Sequence, residues 1–219
     1  MIKSLLTLLF PLLFILQNLA YAAASPMDKF RYPFYIGVTG GYGSTTWEGL
    51  VPTQSNQNAA TIISTPTSIQ EGGLVWGFFG GYEFIPAFAL EGSYLRYPNA
   101  SVNFSPRSLY SFQNGGQTTL NTHTEELSLL AKIMLFIPHT ELRAYSGFGA
   151  AGVHRYDQLA DIWRLSPTFG IGLNYNFTPH IMTELGARYT GGYGESELNP
   201  SQDYLPFLYS AFLRLAYRF

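Results

Sequence analysis

The last thirteen residues of the chain alternate in polarity, and this pattern constrains the fold more than any other feature. Apolar side chains occupy one face: Phe207, Tyr209, Ala211, Leu213, Leu215, Tyr217 and Phe219. Ser210, Arg214 and Arg218 lie on the other face, where Phe212 is the exception. A helix would scatter the arginines among the apolar residues, whereas a strand separates them because successive side chains point to opposite faces. The segment is therefore predicted to be a strand with one apolar face.

Seven earlier segments alternate in the same way, which predicts eight strands in total. The predicted strands cover residues 34–43, 74–84, 88–94, 126–136, 142–151, 167–177, 184–190 and 207–219. Their lengths approach the ~9–11 residues that a tilted strand needs to cross a membrane. Residues 126–136 also fit an amphipathic helix, but a strand agrees better with the strand count and the turn pattern.

The connections between these segments alternate in length. Three short connections contain proline, a turn former that cannot donate to a β-ladder: they centre on Pro86, Pro138 and Pro179. The other four are longer and more polar, covering residues 44–73, 96–125, 154–166 and 191–206. Short turns at one end and long loops at the other are typical of outer-membrane barrels, in which the turns are periplasmic.

The composition favours a membrane barrel over a soluble β-sandwich. Charged residues make up 12% of the chain and aromatic residues 16%, whereas soluble domains are about 25% charged. A sandwich would need polar side chains on its solvent faces, and here the apolar face is continuous. Aromatic residues near the strand ends are predicted to form two interfacial girdles, with Phe84, Phe88, Phe136, Phe177 and Phe219 at the periplasmic end and Tyr42, Trp47, Trp76, Tyr94 and Tyr189 at the outer end.

The N-terminus has the order of a secretory signal. Lys3 precedes an apolar run over residues 5–16, and Ala20 and Ala22 supply the small residues of a cleavage site. Cleavage after Ala22 or Ala24 is expected; an uncleaved anchor is the alternative, although the run is shorter than the ~20 residues of a membrane-spanning helix. We predict a signal peptide over 1–22 and one barrel domain over 23–219. With no cysteine in the chain, no disulfide stabilises it.

On these residues the chain resembles the small OmpA/OmpX-type and opacity-protein-like outer-membrane barrels. The resemblance rests on the terminal LRLAYRF, on FALEGSYL at residues 88–95 and on the glycine-rich LRAYSGFGAAG at residues 142–152. It implies an eight-stranded antiparallel up-and-down transmembrane β-barrel, with both termini in the periplasm. It also implies that Leu215, Tyr217 and Phe219 form a signal read by the barrel-assembly machinery.

The face opposite the apolar one is the first candidate for function. Eight charged residues fall on it: Glu83, Glu91, Glu126, Lys132, Arg143, Glu184, Arg188 and Arg214. Arg218, on the same face of the last strand, is a further candidate. Side chains fill a barrel this narrow, and charges enclosed there must pair, since an unpaired buried charge is costly. The network is predicted either to fill the lumen structurally or to act as a gate in which pairs exchange partners.

The long loops and the four histidines are the remaining candidates. The loops could contact a host-surface ligand, a phage or lipopolysaccharide, or simply be solvated. Neither His123 nor His154 stands in a pattern like that of the membrane-bound deacylases, while His139 and His180 fall in predicted turns. No metal cluster, phosphate loop or dinucleotide motif is present. We therefore expect no enzyme, cofactor or metal.

Two hypotheses for function follow from different classes of protein. One is a surface protein with a filled lumen that displays loops for envelope integrity, adhesion or host interaction. The alternative is a narrow pore for small or apolar solutes, gated by the interior charges. Expected partners are outer-membrane lipids, lipopolysaccharide and the assembly machinery, and no nucleic acid, since the net charge is only −2.

Overall fold

The computed structural model describes residues 32–47, 66–138, 140, 142–193 and 204–219. The predicted signal peptide, His139 and most of the first long loop lie outside these residues. The described part contains ten strands and one short helix: β1 (Phe34–Thr45), β2 (Ser68–Gln70), β3 (Gly73–Ile85), β4 (Phe88–Arg96), β5 (Ala100–Asn103), α1 (Leu109–Gln113), β6 (Thr119–Phe136), β7 (Leu142–Tyr156), β8 (Asp161–Asn176), β9 (Ile181–Thr190) and β10 (Leu208–Arg218).

Eight of these strands close into an antiparallel barrel. Each pairs with the next in the order β1-β3-β4-β6-β7-β8-β9-β10, and β10 pairs back with β1. This confirms the predicted eight-stranded, up-and-down barrel. The segment that also fitted a helix, residues 126–136, is part of β6, which pairs with both β4 and β7. Closure leaves the barrel without a free sheet edge.

The alternation in the sequence sets the two faces of the wall. Large apolar side chains point outward along every strand, for example Ile36 at 59% exposed, Leu185 at 60% and Leu213 at 62%. The intervening residues point inward and are buried, and many of them are polar or charged. Such an arrangement, apolar outside and polar inside, is that of a wall surrounded by lipid.

At one end of the barrel the turns agree with those predicted from the sequence. At the other end one predicted loop differs from the structure. At the end that holds Phe34 and Phe219, here termed the turn end, β3 and β4 are joined through Pro86 and Ala87 alone. At the opposite end, the loop end, the prediction of a long loop over residues 154–166 is wrong. There β7 continues to Tyr156 and β8 begins at Asp161, so only four residues connect them.

Beyond the loop end, several segments pack into a small layer. This loop-end extension comprises residues 46–47, 66–70, 97–125, 154–163 and 204–205. Its buried apolar core contains Trp47, Ala100, Val102, Phe104, Tyr110, Leu120 and Tyr204. Trp47 is 0% exposed, so its assignment to the interfacial girdle is wrong: it packs edge-on against Tyr204 instead.

A short helix and the length of β6 shape this extension. Helix α1 begins after Ser108, whose hydroxyl accepts from the Ser111 amide as an N-cap. Strand β6 has 18 residues, more than the ~9–11 that cross a membrane, so its first part continues beyond the barrel wall. In the part of the chain that the structure describes, no helix is long and apolar enough to cross a membrane.

Candidate functional site in the barrel lumen

The eight charged residues predicted on the inner face all point into the lumen. Each is buried, with at most 6% of its surface exposed. The barrel order determines which walls they come from, because strands four places apart in a ring of eight stand opposite each other. On this basis β4 faces β9 and β6 faces β10. The charges form three layers, named here the turn-end, central and loop-end layers.

The central layer is a ring of alternating charge that spans the lumen. The Nζ atom of Lys132 lies 2.9 Å from Glu91 Oε2 and 2.5 Å from Glu184 Oε2. Arg214 Nη1 lies 2.7 Å from Glu91 Oε1 and 2.9 Å from Glu184 Oε1. Since Glu91 and Glu184 come from opposite walls, each cation connects the two sides of the barrel.

Two tyrosines complete the central layer. The hydroxyl of Tyr35 donates to Glu91 at 3.1 Å, and that of Tyr145 donates to Glu184 at 2.8 Å. Both carboxylates therefore accept from two cations and a hydroxyl, which compensates for the loss of their hydration. Two carboxylates and two cations also leave the layer electrically neutral.

The turn-end layer is built around one carboxylate and two arginines. Glu83 accepts from Arg143 in a forked geometry and from Arg218 Nη2 at 2.7 Å. The additional positive charge faces neutral acceptors, since Arg143 also donates to Asn174 Oδ1 at 3.0 Å and Arg218 to the Tyr32 carbonyl at 3.1 Å. Arg218, the further candidate on the inner face of the last strand, therefore belongs to this layer.

The loop-end layer pairs Glu126 with Arg188 across the lumen. The Nη1 atom of Arg188 lies 3.1 Å from Glu126 Oε1 and also donates to the hydroxyls of Ser93 and Ser128. Glu126 accepts from the Thr190 hydroxyl at 2.9 Å. As in the central layer, a single charged group contacts several walls of the barrel at once.

An apolar layer closes the lumen above these charges. Its buried side chains are Val75, Leu95, Tyr97, Ala151, Val153, Leu205 and Leu208. Leu205 comes from the last loop rather than from the wall, so this loop folds back over the loop end of the barrel. The lumen is thus occupied by three charged layers and one apolar layer.

Arg155 joins separate segments of the loop-end extension, and it was not among the residues predicted from the sequence. Fully buried, it donates to Asp157 at 2.7 Å and to the Tyr204 carbonyl at 2.6 Å, and its guanidinium carbon lies 4.7 Å from the centre of the Trp47 ring. It stands an even number of residues after Arg143, so the alternation would have placed both on one face. Because residues from 154 onward were predicted to form a loop, the alternation was not extended to Arg155.

Several buried donors on one side of the lumen have no hydrogen-bond partner among the described residues. They are Arg188 Nε, Arg214 Nε, Arg214 Nη2 and Thr39 Oγ1, on the adjacent strands β9, β10 and β1. The Arg214 guanidinium lies between the Phe79 and Phe212 rings, 4.6 and 4.2 Å from their centres. This side of the lumen therefore contains several buried donors without a partner among the described residues.

The three described histidines lie away from the lumen, and His139 lies outside the described residues. His123 contacts Asn99 at 2.7 Å, His154 contacts Asp161 at 2.8 Å, and His180 contacts the Arg218 carbonyl at 2.9 Å. None of these contacts orients a serine or threonine hydroxyl as a nucleophile would require. Within the described residues there is no group of three side chains suited to a metal ion.

The residues predicted as an assembly signal lie on the outer face at the turn end. Leu215, Tyr217 and Phe219 are 53–58% exposed. The Phe219 ring stacks with Phe34 at 6.0 Å, and the Tyr217 ring stacks with His180 at 5.4 Å. Their recognition by the assembly machinery stays a prediction.

Comparisons with known proteins agree on the fold. A family model described as an outer membrane protein beta-barrel domain matches residues 8–219. Neisserial surface protein A is 14% identical with a TM-score of 0.52, over 85% of this chain and 97% of that one. The outer membrane protein OprG from Pseudomonas aeruginosa is 11% identical with a TM-score of 0.50, over 84% and 96%. No curated protein sequence matches the chain.

Proposed function

This chain belongs to the family of outer membrane protein β-barrel domains, and from that premise we propose that it is a non-enzymatic surface protein with a closed lumen. Its location is therefore the bacterial outer membrane. In this proposal the barrel is a rigid support, and the loop-end extension is the part that acts in envelope integrity, adhesion or contact with a host. The observation that carries the proposal is the set of ion pairs that cross the lumen.

These ion pairs support closure because they are both buried and multiply connected. Opening a path past the central layer would separate Lys132 or Arg214 from a carboxylate, and breaking such a buried pair costs several kcal/mol. A solute would also have to displace the apolar layer and the loop-end extension above it. A solute would therefore meet three successive barriers: the ion pairs of the central layer, the apolar layer and the loop-end extension.

The orientation in the membrane is part of the proposal. We place both termini and the proline turns in the periplasm and the loop-end extension outside the cell, since outer-membrane barrels have short periplasmic turns. The exposed apolar band would contact the outer-membrane lipids, including lipopolysaccharide. The assembly machinery would recognise Leu215, Tyr217 and Phe219 during biogenesis.

Single-channel recording in a planar bilayer tests closure. The refolded mature protein is expected to show no openings, whereas Glu91→Gln removes one carboxylate from the central layer and should produce intermittent openings. Glu125→Gln is the matched control, because Glu125 lies on the outer face, 3.8 Å from Arg96 and 4.0 Å from His154, and takes no part in the central layer. Steady conductance of the unmodified protein would overturn the proposal, as would openings in the control alone.

A gated narrow pore is the second candidate, and the unpartnered donors on β9, β10 and β1 favour it. Donors such as Arg214 Nη2 and Thr39 Oγ1 suit a path lined by water, since buried water satisfies groups of this kind. Five interior cations in the three layers face four carboxylates, the fifth being Arg218. Openings through this lumen should therefore prefer anions, and a measured preference for cations would exclude this path.

A further inference from the structure

A three-stranded sheet in the loop-end extension presents a face made only of uncharged polar side chains. β2, β5 and the first residues of β6 pair in antiparallel register. Residues directly opposite in such a sheet share a face, so the register gives two rows of three: Ser68, Asn103 and Thr119 in one row, and Gln70, Ser101 and Asn121 in the other. The rows cover a patch of about 7 by 10 Å, from standard strand spacings.

The opposite face of this sheet is apolar and covered. Ala100, Val102 and Leu120 are buried in the core of the extension, and Ile69 packs against it. The sheet therefore has one fixed orientation, because a shift of one residue would expose these side chains. The polar rows consequently face away from the protein.

Hydrogen bonds hold several of the polar side chains in place while leaving part of their capacity unused. Ser101 donates to Asn121 Oδ1 at 2.8 Å, Thr119 donates to Asn103 Oδ1 at 2.9 Å, and Asn103 Nδ2 donates to Ser68 Oγ at 3.3 Å. An amide offers two N–H donors and a carbonyl. Among the described residues, both N–H groups of Asn121 and one of Asn103 have no partner and can donate to a ligand.

Aromatic rings continue this face directly beside the polar rows. His123 follows Asn121 on the same face of β6, and its ring stacks on Tyr156 at 4.6 Å with 13° between the planes. Beyond it, His154 stacks on Trp163 at 4.5 Å with 3° between the planes. Rings that expose an apolar surface beside polar groups are common in binding interfaces.

The charge of this region narrows the class of ligand. Between residues 97 and 122 the only charged residue is Arg107, and none of the six polar residues in the two rows is charged. Anionic polymers are bound mainly by clustered Lys and Arg, which this face lacks. Amide and hydroxyl groups beside aromatic rings match a ligand that is uncharged, rich in hydroxyls and partly apolar on its ring faces.

We propose that the face formed by the two polar rows and the His123–Tyr156 stack binds uncharged saccharide chains. The inference rests on the proposed function, since it requires the loop-end extension to face outside the cell. The same sugar chemistry could come from the cell's own lipopolysaccharide or from the glycans of another cell. Amide groups would bind sugar hydroxyls, and the ring stack would contact the sugar's C–H faces.

The test is binding of the refolded full mature chain, in lipid nanodiscs, to an array of neutral oligosaccharides of hexose and N-acetylhexosamine, with sulfated and sialylated counterparts. We expect binding to neutral chains with little dependence on salt. Asn121→Ala and Tyr156→Ala should each weaken it about 3- to 10-fold, the effect of losing one contact of this kind. Gln117→Ala is the matched control, because Gln117 is exposed outside the sheet and its loss should leave binding unchanged.

Two results would overturn the inference: no binding to any neutral chain, or a preference for sulfated chains that Arg107→Ala removes. Purified lipopolysaccharides with and without their terminal polysaccharide separate the two sources, because binding of the complete form alone identifies the cell's own saccharide. Gln117→Cys in intact cells separates failure of the inference from failure of the proposed function. Since the chain has no cysteine, labelling by a membrane-impermeant maleimide reports exposure of the extension alone, whether or not saccharide binds.

Discussion

The barrel wall and the loop-end extension have opposite polarity, although one strand passes through both. In the wall, β6 points Glu126 and Lys132 inward and Leu129 outward. In the extension, the same strand points Leu120 inward and Asn121 outward. The change takes place near Glu125 and Glu126, without any break in the alternation of side chains.

The difference teaches that the surroundings, rather than the strand, decide which face is apolar. Water favours burial of apolar side chains, so the extension has the apolar core of a small soluble layer. Lipid provides no such drive at the outer face, and the wall instead exposes its apolar residues and encloses its charges. Stability should therefore depend on ion pairs in one region and on apolar packing in the other.

Loss of a central cation should have the largest effect on the wall. Lys132→Met leaves Glu91 and Glu184 with one fewer partner in a buried site, and we expect a loss of about 3–5 kcal/mol in the free energy of unfolding. Denaturant titration of the protein folded into lipid vesicles measures this change. Arg96→Met is the control: its pair with Glu125 spans 3.8 Å and is partly exposed, so the expected loss is at most about 1 kcal/mol. Equal losses of stability in the two variants would contradict the expected difference between the buried ion pairs and the partly exposed one.

A charge placed on the outer face should have the second largest effect, and its cost should differ between the wall and the extension. Leu185→Arg puts a cation on the exposed apolar band and should cost about 2–4 kcal/mol near the membrane midplane. Asn121→Arg introduces the same side chain on the exposed face of the extension, where the cost should be within about 0.5 kcal/mol. Unfolding in vesicles compares the two, and a neutral Leu185→Arg would mean that this residue does not face lipid.

Removal of a core side chain from the extension should destabilise that region alone. Leu120→Ala deletes part of a fully buried side chain, with an expected cost of about 2 kcal/mol, at the low end for such changes because a small layer can partly collapse. Hydrogen exchange should show faster exchange in β5 and the first residues of β6 while the wall amides stay protected. Equal acceleration in both regions would show that they unfold together.

The smallest expected effect is a loss of order in the extension at alkaline pH. Burial raises the pKa of the Tyr204 hydroxyl above its ordinary value of 10.0. The folded extension therefore holds this proton more tightly than the unfolded chain, so the stabilisation is complete below pH 10 and falls as the pH rises above it. Because Tyr204 packs on Trp47, tryptophan fluorescence should follow the change, and Tyr204→Phe should remove this part of it. If the fluorescence of Tyr204→Phe depends on pH in the same way as that of the unmodified protein, another group causes the change.

The wall could be predicted from the sequence because one physical rule applies along all of it. Apolar residues outside and small or polar residues inside give a period of two that is unbroken from Leu213 to Phe219, and the proline turns gave the strand order. The inward direction of Lys132 and Glu184 follows from the same rule. Their contact does not, because it depends on how strands distant in sequence are staggered around the closed barrel.

The extension could not be predicted because that rule changes at its boundary. Above the wall, the outward positions include His154 and Asp161, so a search for apolar outward residues gives no consistent strand over residues 154–166. Trp47 looked like an interfacial residue for the same reason. Its burial depends on Tyr204 and on Arg155, which reach it from loops far apart in sequence.

The most direct test of the central claim is a scan of spin labels along the outer face of β6 in a lipid bilayer. Single cysteines at positions 121, 123, 127, 129, 131 and 133 of the cysteine-free chain would carry the labels. We predict that labels at 121 and 123 are accessible to a water-soluble nickel chelate, and that labels from 127 onward are accessible to oxygen dissolved in lipid. Access of the nickel chelate to all six positions would contradict a polarity change at the membrane surface.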